Sequence, residues 1–278
     1  MVATWMGRHC VAGLVLACGL MIPGLGGARP TAKFEHNAVV DVIERIAAKD
    51  CAGAIKLLNA GLAADSPRVA LLAGNMYEQG ICLKPNLDRA AGYYITAHNG
   101  GERAAAYRLA AAYASREAGP DTAAALWWLR QTDGQYGGEH CGVGDAPKDD
   151  PDRFVAVLQT WTPARLAACN YLAGVVATVA GEVQYPKAPH RFEPEGTVMV
   201  RFTPALSKID IWTLAGAGAF SEARPDSEKY QQRATRKSRF ESVVREIADR
   251  ALVRYPQPPG LDPAWIQEFA MVFNVTTN

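Results

Sequence analysis

The stretch QYPKAPHRFEPEGTVMVRF, residues 184–202, decides the fold, because the chain changes its period inside it. Upstream, apolar residues recur at helical spacing. Downstream, Val198, Val200 and Phe202 alternate with Thr197, Met199 and Arg201, the repeat of a strand with one covered face. Tyr185 precedes Pro186, and a residue before proline is pushed into extended backbone, so the helical run ends there. Glu195 and Gly196 supply the bend into the strand. A second strand is expected at KIDIWTLAG, residues 208–216. A helix from about Arg236 follows, with Phe240, Val243, Val244, Ile247, Ala251 and Leu252 on one face. RYPQPPG stops that helix, and WIQEFAMVFNV, residues 265–275, reads as the last strand. Strand, strand, helix, strand with one covered face is a small α+β domain, an antiparallel three-stranded sheet with a packed helix.

Length and charge bound the rest. The 278 residues, 49% hydrophobic, can bury one large core or two modest ones, and two domains are expected. Twenty-nine Lys and Arg balance 28 Asp and Glu, which gives no field to attract nucleic acid or an anionic membrane. No paired carboxylates, nucleophile motif, phosphate loop or metal-ligand spacing stands out. The expectation is therefore a non-enzymatic protein with no cofactor, no metal and no small-molecule substrate.

Residues 1–28 read as a secretion signal. Arg8 and His9 precede the uncharged CVAGLVLACGLMI, Pro23 and Gly24 break it, and small residues lead to cleavage after Ala28. Two alternatives stand beside this. Residues 10–28 could stay as a spanning anchor, against which the Pro and Gly content of their last third counts, or Cys18 in VLAC could be lipidated, although Leu16 is not the small residue preferred upstream. Secretion to the periplasm or beyond removes Cys10 and Cys18 and leaves Cys51, Cys82, Cys141 and Cys169 in an oxidising compartment. Cys51 begins a helix and Cys82 lies in the GICLKPNL turn, so a bridge across adjacent repeats is expected. Cys141 with Cys169 would fasten a linker to its neighbouring helix.

The helical part repeats itself. VALLAGNMYEQGICLKPNLDRAAGYYITAHNGG, from Val69, aligns with AAYRLAAAYASREAGPDTAAALWWLRQTDG, from Ala105, with Tyr77 over Tyr113, Asp88 over Asp121 and Tyr94 over Trp128. The period of about 34 to 36 residues is that of helix-turn-helix solenoids. Ala70, Ala73 and Gly74 would let the first helix approach its partner, Tyr77 would fill the groove, and Asp88 or Asp121 would cap the second helix. Tyr77, Tyr93, Tyr94, Trp127 and Trp128 read first as core. Only one of each adjacent pair can point inward, which leaves the other for a peptide on the concave surface. LAGNMYEQG, LDRAAGYYITAHNGG and DTAAALWWLRQ resemble the Sel-one-like repeats, relatives of the tetratricopeptide repeat, over residues 38–132. Ala110 departs from the Gly expected there. DCAGAIKLLNAGLAADSP reads as the back half of a capping repeat.

Residues 133–151 are rich in Gly, Asp and Pro and read as a linker. Glu139, His140 and Asp145 lie in it, but nothing there supplies a nucleophile with an oriented base. DPDRFVAVLQTW and TPARLAACNYLAGVVATVAGE read as two helices, the second capped by Thr162 with Pro163 in its first turn. The expected organisation is a signal at 1–28, helical repeats at 36–132, a linker at 133–151, a helical connector at 152–181 and the α+β domain at 182–278.

The last part resembles the C-terminal domain of the TonB energy transducers. The likeness rests on QYP, on Glu-Gly before TVMVRF, on the helix ending RYPQPP and on EFAMVFNV, and it covers residues 182–276. The resemblance implies binding of an extended peptide by strand addition, the partner being a protein such as an outer-membrane receptor. It points to Gln184, Tyr185 and Pro186 and to the strand Glu268, Phe269, Ala270, Met271, Val272, Phe273, Asn274 and Val275. The chain departs from the family in TPALSKID at the first turn, in the basic insertion SEARPDSEKYQQRATRK, and in lacking a long Pro-rich spacer. The expected function is a periplasmic or secreted binding or adaptor protein, in which the solenoid holds one partner and the sheet edge another. The alternative is an energy transducer for outer-membrane transport, which requires residues 10–28 to remain as an anchor.

Overall fold

Three polar side chains set the frame of the helical part. Asp50, Asn86 and Asp121 each accept the backbone N–H three residues on, from Gly53, Arg89 and Ala124, and so open a helix. They stand 36 and 35 residues apart. Four residues past each cap lies a fully buried alanine, Ala54, Ala90 or Ala125, and eight past it a buried large residue, Leu58, Tyr94 or Leu129. The computed structural model describes residues 32–115, 119–132, 136, 138–144, 149–182, 196–214 and 228–273. Its helical part comprises α1 (Ala32–Ala47), α2 (Cys51–Ala63), α3 (Pro67–Gln79), α4 (Leu87–Asn99), α5 (Ala104–Ala114), α6 (Thr122–Arg130), α7 (Gly138–Cys141), α8 (Pro151–Leu158) and α9 (Pro163–Glu182). Helices α1 and α2, α3 and α4, and α5 and α6 pack as pairs, each pair against the next.

Three details of the repeat differ from the expectation, the first being that Leu129, not Trp128, stands at the position of Tyr94, eight residues past its cap. Asn86, not Asp88, caps α4, because the Asn86 N–H is tied to the Tyr77 carbonyl at 3.0 Å and holds that residue outside the helix. The Asp121 N–H makes the same bond to the Tyr113 carbonyl at 2.9 Å, so Asn86 and Asp121 are equivalent. Tyr94, not Tyr77, occupies the notch that Gly74 leaves: a Cβ at position 74 would lie 2.3 Å from the Tyr94 ring. Tyr77 instead stacks on Tyr93, centroids 5.6 Å apart, with the Arg89 guanidinium over it.

The α+β region comprises β1 (Gly196–Thr203), a short 3-10 turn at Pro204–Leu206, β2 (Lys208–Leu214), α10 (Glu228–Arg254) and β3 (Gln267–Phe273). The helix begins inside the segment expected to precede it, and the strand two residues later than expected. The sheet is antiparallel in the order β2-β1-β3. Val198, Val200 and Phe202 face the core with Ile209, Ile211 and Phe269, each apolar side chain contributing about 1.5–3 kcal/mol by burial. Val244, Ile247, Ala248 and Ala251 of α10 join the same core.

That core does not stop at the boundary between the two parts. One buried cluster runs from Ala110 in α5 through α9 to Phe269 in β3. Helix α9 is long and apolar enough to cross a membrane by length and composition, and here residues 171–179 are all buried, with the helix packed on α5, α6 and α10. As expected, Thr162 caps it by accepting the Arg165 N–H at 3.2 Å.

Candidate functional site

The two sheet edges differ, and one hydrogen bond tells which main-chain groups face outward. The Thr213 N–H on β2 donates to the Glu241 carboxylate of α10 at 2.9 Å, and the Thr213 hydroxyl donates to the same oxygen at 2.7 Å. Thr213 therefore points its main chain away from β1. Along an antiparallel strand, main-chain groups turn alternately to one neighbour and the other. Thr213 stands opposite Val198, so Val198, Val200 and Phe202 direct their main chains to β3, where they meet Met271, Phe269 and Gln267. The main-chain groups of Glu268, Ala270 and Val272 then face the outer edge. The Gln267 side-chain amide donates to the Glu268 carbonyl at 2.9 Å, as an outward carbonyl permits. Among the described residues no strand pairs with that outer side of β3.

Side chains alternate with the same parity. Glu268 and Ala270 are exposed, and Arg201 of β1 pairs with Glu268 while its guanidinium lies 5.4 Å from the Trp212 ring centre. Phe269 turns inward and meets the Tyr136 ring edge-on at 5.7 Å. The Tyr136 hydroxyl lies 2.8 Å from that of Tyr107, which walls a cleft of about 160 Å³ with His98, Glu102, Arg103, Gln131 and Thr132. Of the residues expected to bind peptide, Glu268 through Phe273 thus lie on an edge strand. Gln184, Tyr185, Pro186, Asn274 and Val275 lie outside the described residues, as does the segment 1–28.

The C-terminal end of α10 reaches back to the helical pairs through α3 and α9. Glu78 of α3 accepts from Arg254 at 3.0 Å, Glu182 of α9 accepts from Arg108 of α5 and from Arg250, each at 3.0 Å, and Arg108 lies 3.8 Å from Glu78. The Arg108 and Glu78 side chains are only 5% and 6% exposed. Alternating signs over four helices offset the cost of removing these charges from water. Tyr94 donates its single proton to Glu78 at 2.6 Å, which leaves the Asn75 amide, 2.9 Å away, to turn its NH2 toward the phenol. Burial, and then the Glu78 charge, push the Tyr94 pKa well above the usual phenol range. Tyr255 seats against Gly174, donates to the Ala111 carbonyl at 2.7 Å and accepts from Thr178 at 3.2 Å. Burial pushes its pKa up to about 12.

The sequence did carry one trace of this network. Arg108 is the lone charge in the α5 sequence AAAYRLAAAYA, and a cation on a helix that is apolar all round implies a buried partner. The partner's identity had no such mark.

Both expected cysteine pairs are joined, Cys51 to Cys82 at 2.04 Å and Cys141 to Cys169 at 2.05 Å. Of the adjacent aromatics, Tyr94 is fully buried and Tyr93 half-buried. Both tryptophans are half-buried, Trp127 against Phe154 and Trp128 against His98. No family model, curated protein or solved structure matches this chain.

Proposed function

We propose that this chain is a periplasmic or secreted binding or adaptor protein that takes an extended peptide as a fourth strand on the outer edge of β3. The observation that carries the reading is the inequality of the two edges. Neither outer edge meets a described strand, but on β2 the outward N–H of Thr213 already has the Glu241 carboxylate of α10, whereas among the described residues no side chain meets the outward groups of Ala270 and Val272 on β3. Main-chain bonds along such an edge give affinity, and alternate side-chain positions give selectivity. The resemblance of this part to TonB C-terminal domains favours a segment of an outer-membrane receptor as the peptide. The helical pairs form a short solenoid of Sel-one-like type. Helix α3 holds the end of α10 through Glu78 and Arg254, and the solenoid serves a second protein. The disulfides are compatible with an extracellular or periplasmic location.

The test uses the full mature chain, because the core is shared between the two parts. Proline removes an N–H without a charge change. Ala270→Pro takes away an outward donor and should leave the fold intact while abolishing retention of receptor-derived peptides, read by fluorescence anisotropy beside the thermal midpoint. Phe269→Pro removes a donor of the ladder to β1 and should lower the midpoint itself. Folded Ala270→Pro and Val272→Pro variants that bind as the parent does would rule out strand addition at β3.

A further inference from the structure

The two disulfides close loops of nearly equal length, with sequence separations of 31 and 28, so the entropy of loop closure does not distinguish them. Their surroundings do. Cys141 and Cys169 are 8% and 1% exposed, and Arg165 clamps the backbone on either side of Cys141. Its Nε donates to the His140 carbonyl at 2.8 Å and its Nη2 to the Gly142 carbonyl at 3.2 Å, while its guanidinium lies 3.7 Å from the Trp161 ring centre. Cys51 is exposed and Cys82 half-buried. Cys82 is held at φ +58°, in the left-handed region that L side chains rarely adopt, and opening its bridge frees it to leave that region. Cys51 is the first residue of α2, where unpaired backbone N–H groups favour a thiolate over a thiol. Asp50 beside it carries the opposing charge, and that charge is paired with Arg45 at 3.1 Å.

We propose that Cys51–Cys82 is a redox-labile latch, opened in the folded protein by a dithiol reductant while Cys141–Cys169 stays closed. The attacking thiolate forms a bond to the Cys82 sulfur, and Cys51 leaves with the electron pair as a thiolate at the start of α2. The second thiol of the reductant then displaces Cys82 from the mixed disulfide. The chain gains two electrons and two protons as two thiols, and the reductant becomes a disulfide. Opening the latch detaches the α3–α4 turn, Gly80 to Pro85, from α2 and leaves the sheet and its edge fastened.

The experiment exposes the oxidised full-length mature chain to graded dithiothreitol, quenches with iodoacetamide and reads each cysteine by peptide mass spectrometry beside near-ultraviolet circular dichroism. Cys51 and Cys82 should be alkylated at a reductant concentration about tenfold lower than Cys141 and Cys169, with the dichroism signal of the folded chain retained. Opening of both bridges together, opening of Cys141–Cys169 first, or alkylation of Cys51 only where the folded signal is lost would each overturn the proposal.

Discussion

Helix pairs α3/α4 and α5/α6 share a backbone frame and differ in what fills it. The capping residue, the carbonyl that its N–H meets and the buried alanine four residues on are equivalent in both. In the first pair Gly74 makes room for Tyr94, whose phenol reaches Glu78. In the second, Ala110 and Leu129 stand at those positions within a purely apolar cluster. At this one position the first pair is closed by a phenol bonded to a buried carboxylate and the second by volume alone, although α5 supplies Arg108 to the same charged network. A repeat can therefore keep its geometry while the residue that fills one groove changes from an apolar side chain to a polar one.

The comparison breaks most sharply at Arg108. Arg108→Met leaves Glu78 and Glu182 short of a buried counter-charge and should lower unfolding free energy by about 3–5 kcal/mol in urea titration. A loss below about 1 kcal/mol would mean that water already screens the pair. Next comes Gly74→Ala, which drives a methyl into the Tyr94 ring and should cost about 1–3 kcal/mol. Adding Tyr94→Leu would rebuild the Ala110/Leu129 pairing and remove the clash, though not the loss of the phenol's bond to Glu78.

Tyr255 sharpens the same contrast through pH. Its folded pKa, about 12, lies above the unfolded phenol value of about 10, so the folded state holds the proton longer. The stability this contributes is fully present below pH 10 and is lost as pH rises through about 12. Urea midpoints should fall across that window, ultraviolet absorbance should show late-ionising tyrosine, and Tyr255→Phe should flatten the fall. At neutral pH the same substitution removes the bond to Ala111 and should cost about 1–3 kcal/mol. The smallest effect is expected from Ala110→Gly, about 0.5–1 kcal/mol from backbone entropy, because no ring waits there to occupy the space.

What could be read in the sequence was local. The alternation after Gly196, the Asp121 and Thr162 caps and the 35-residue spacing are written in neighbours a few residues apart, and they emerge as elements. The cysteines were legible because an even set in an oxidising setting has few partners to choose from. The Asn86 cap was not, since Asp88 two residues on offers the same chemistry and only the bond to the Tyr77 carbonyl decides between them. Least legible was the joint between the two parts. Arg254 meets Glu78 across 176 residues and Tyr255 meets Ala111 across 144, distances over which periodicity records nothing. The strand order that puts β3 at an edge is likewise a property of the assembled sheet.

The bridges have a mechanical side as well. An extended residue spans about 3.3–3.6 Å, so each closed loop, of separation 31 and 28, keeps about 100 Å of chain from being drawn out. A pull applied at β3 on the unfolded oxidised chain meets a stop about 200 Å sooner than on the fully reduced one. With only the latch at Cys51 opened, half of that slack is released, all of it between α2 and the α3–α4 turn. Redox state would then set the reach of the chain under load as well as its stability at rest.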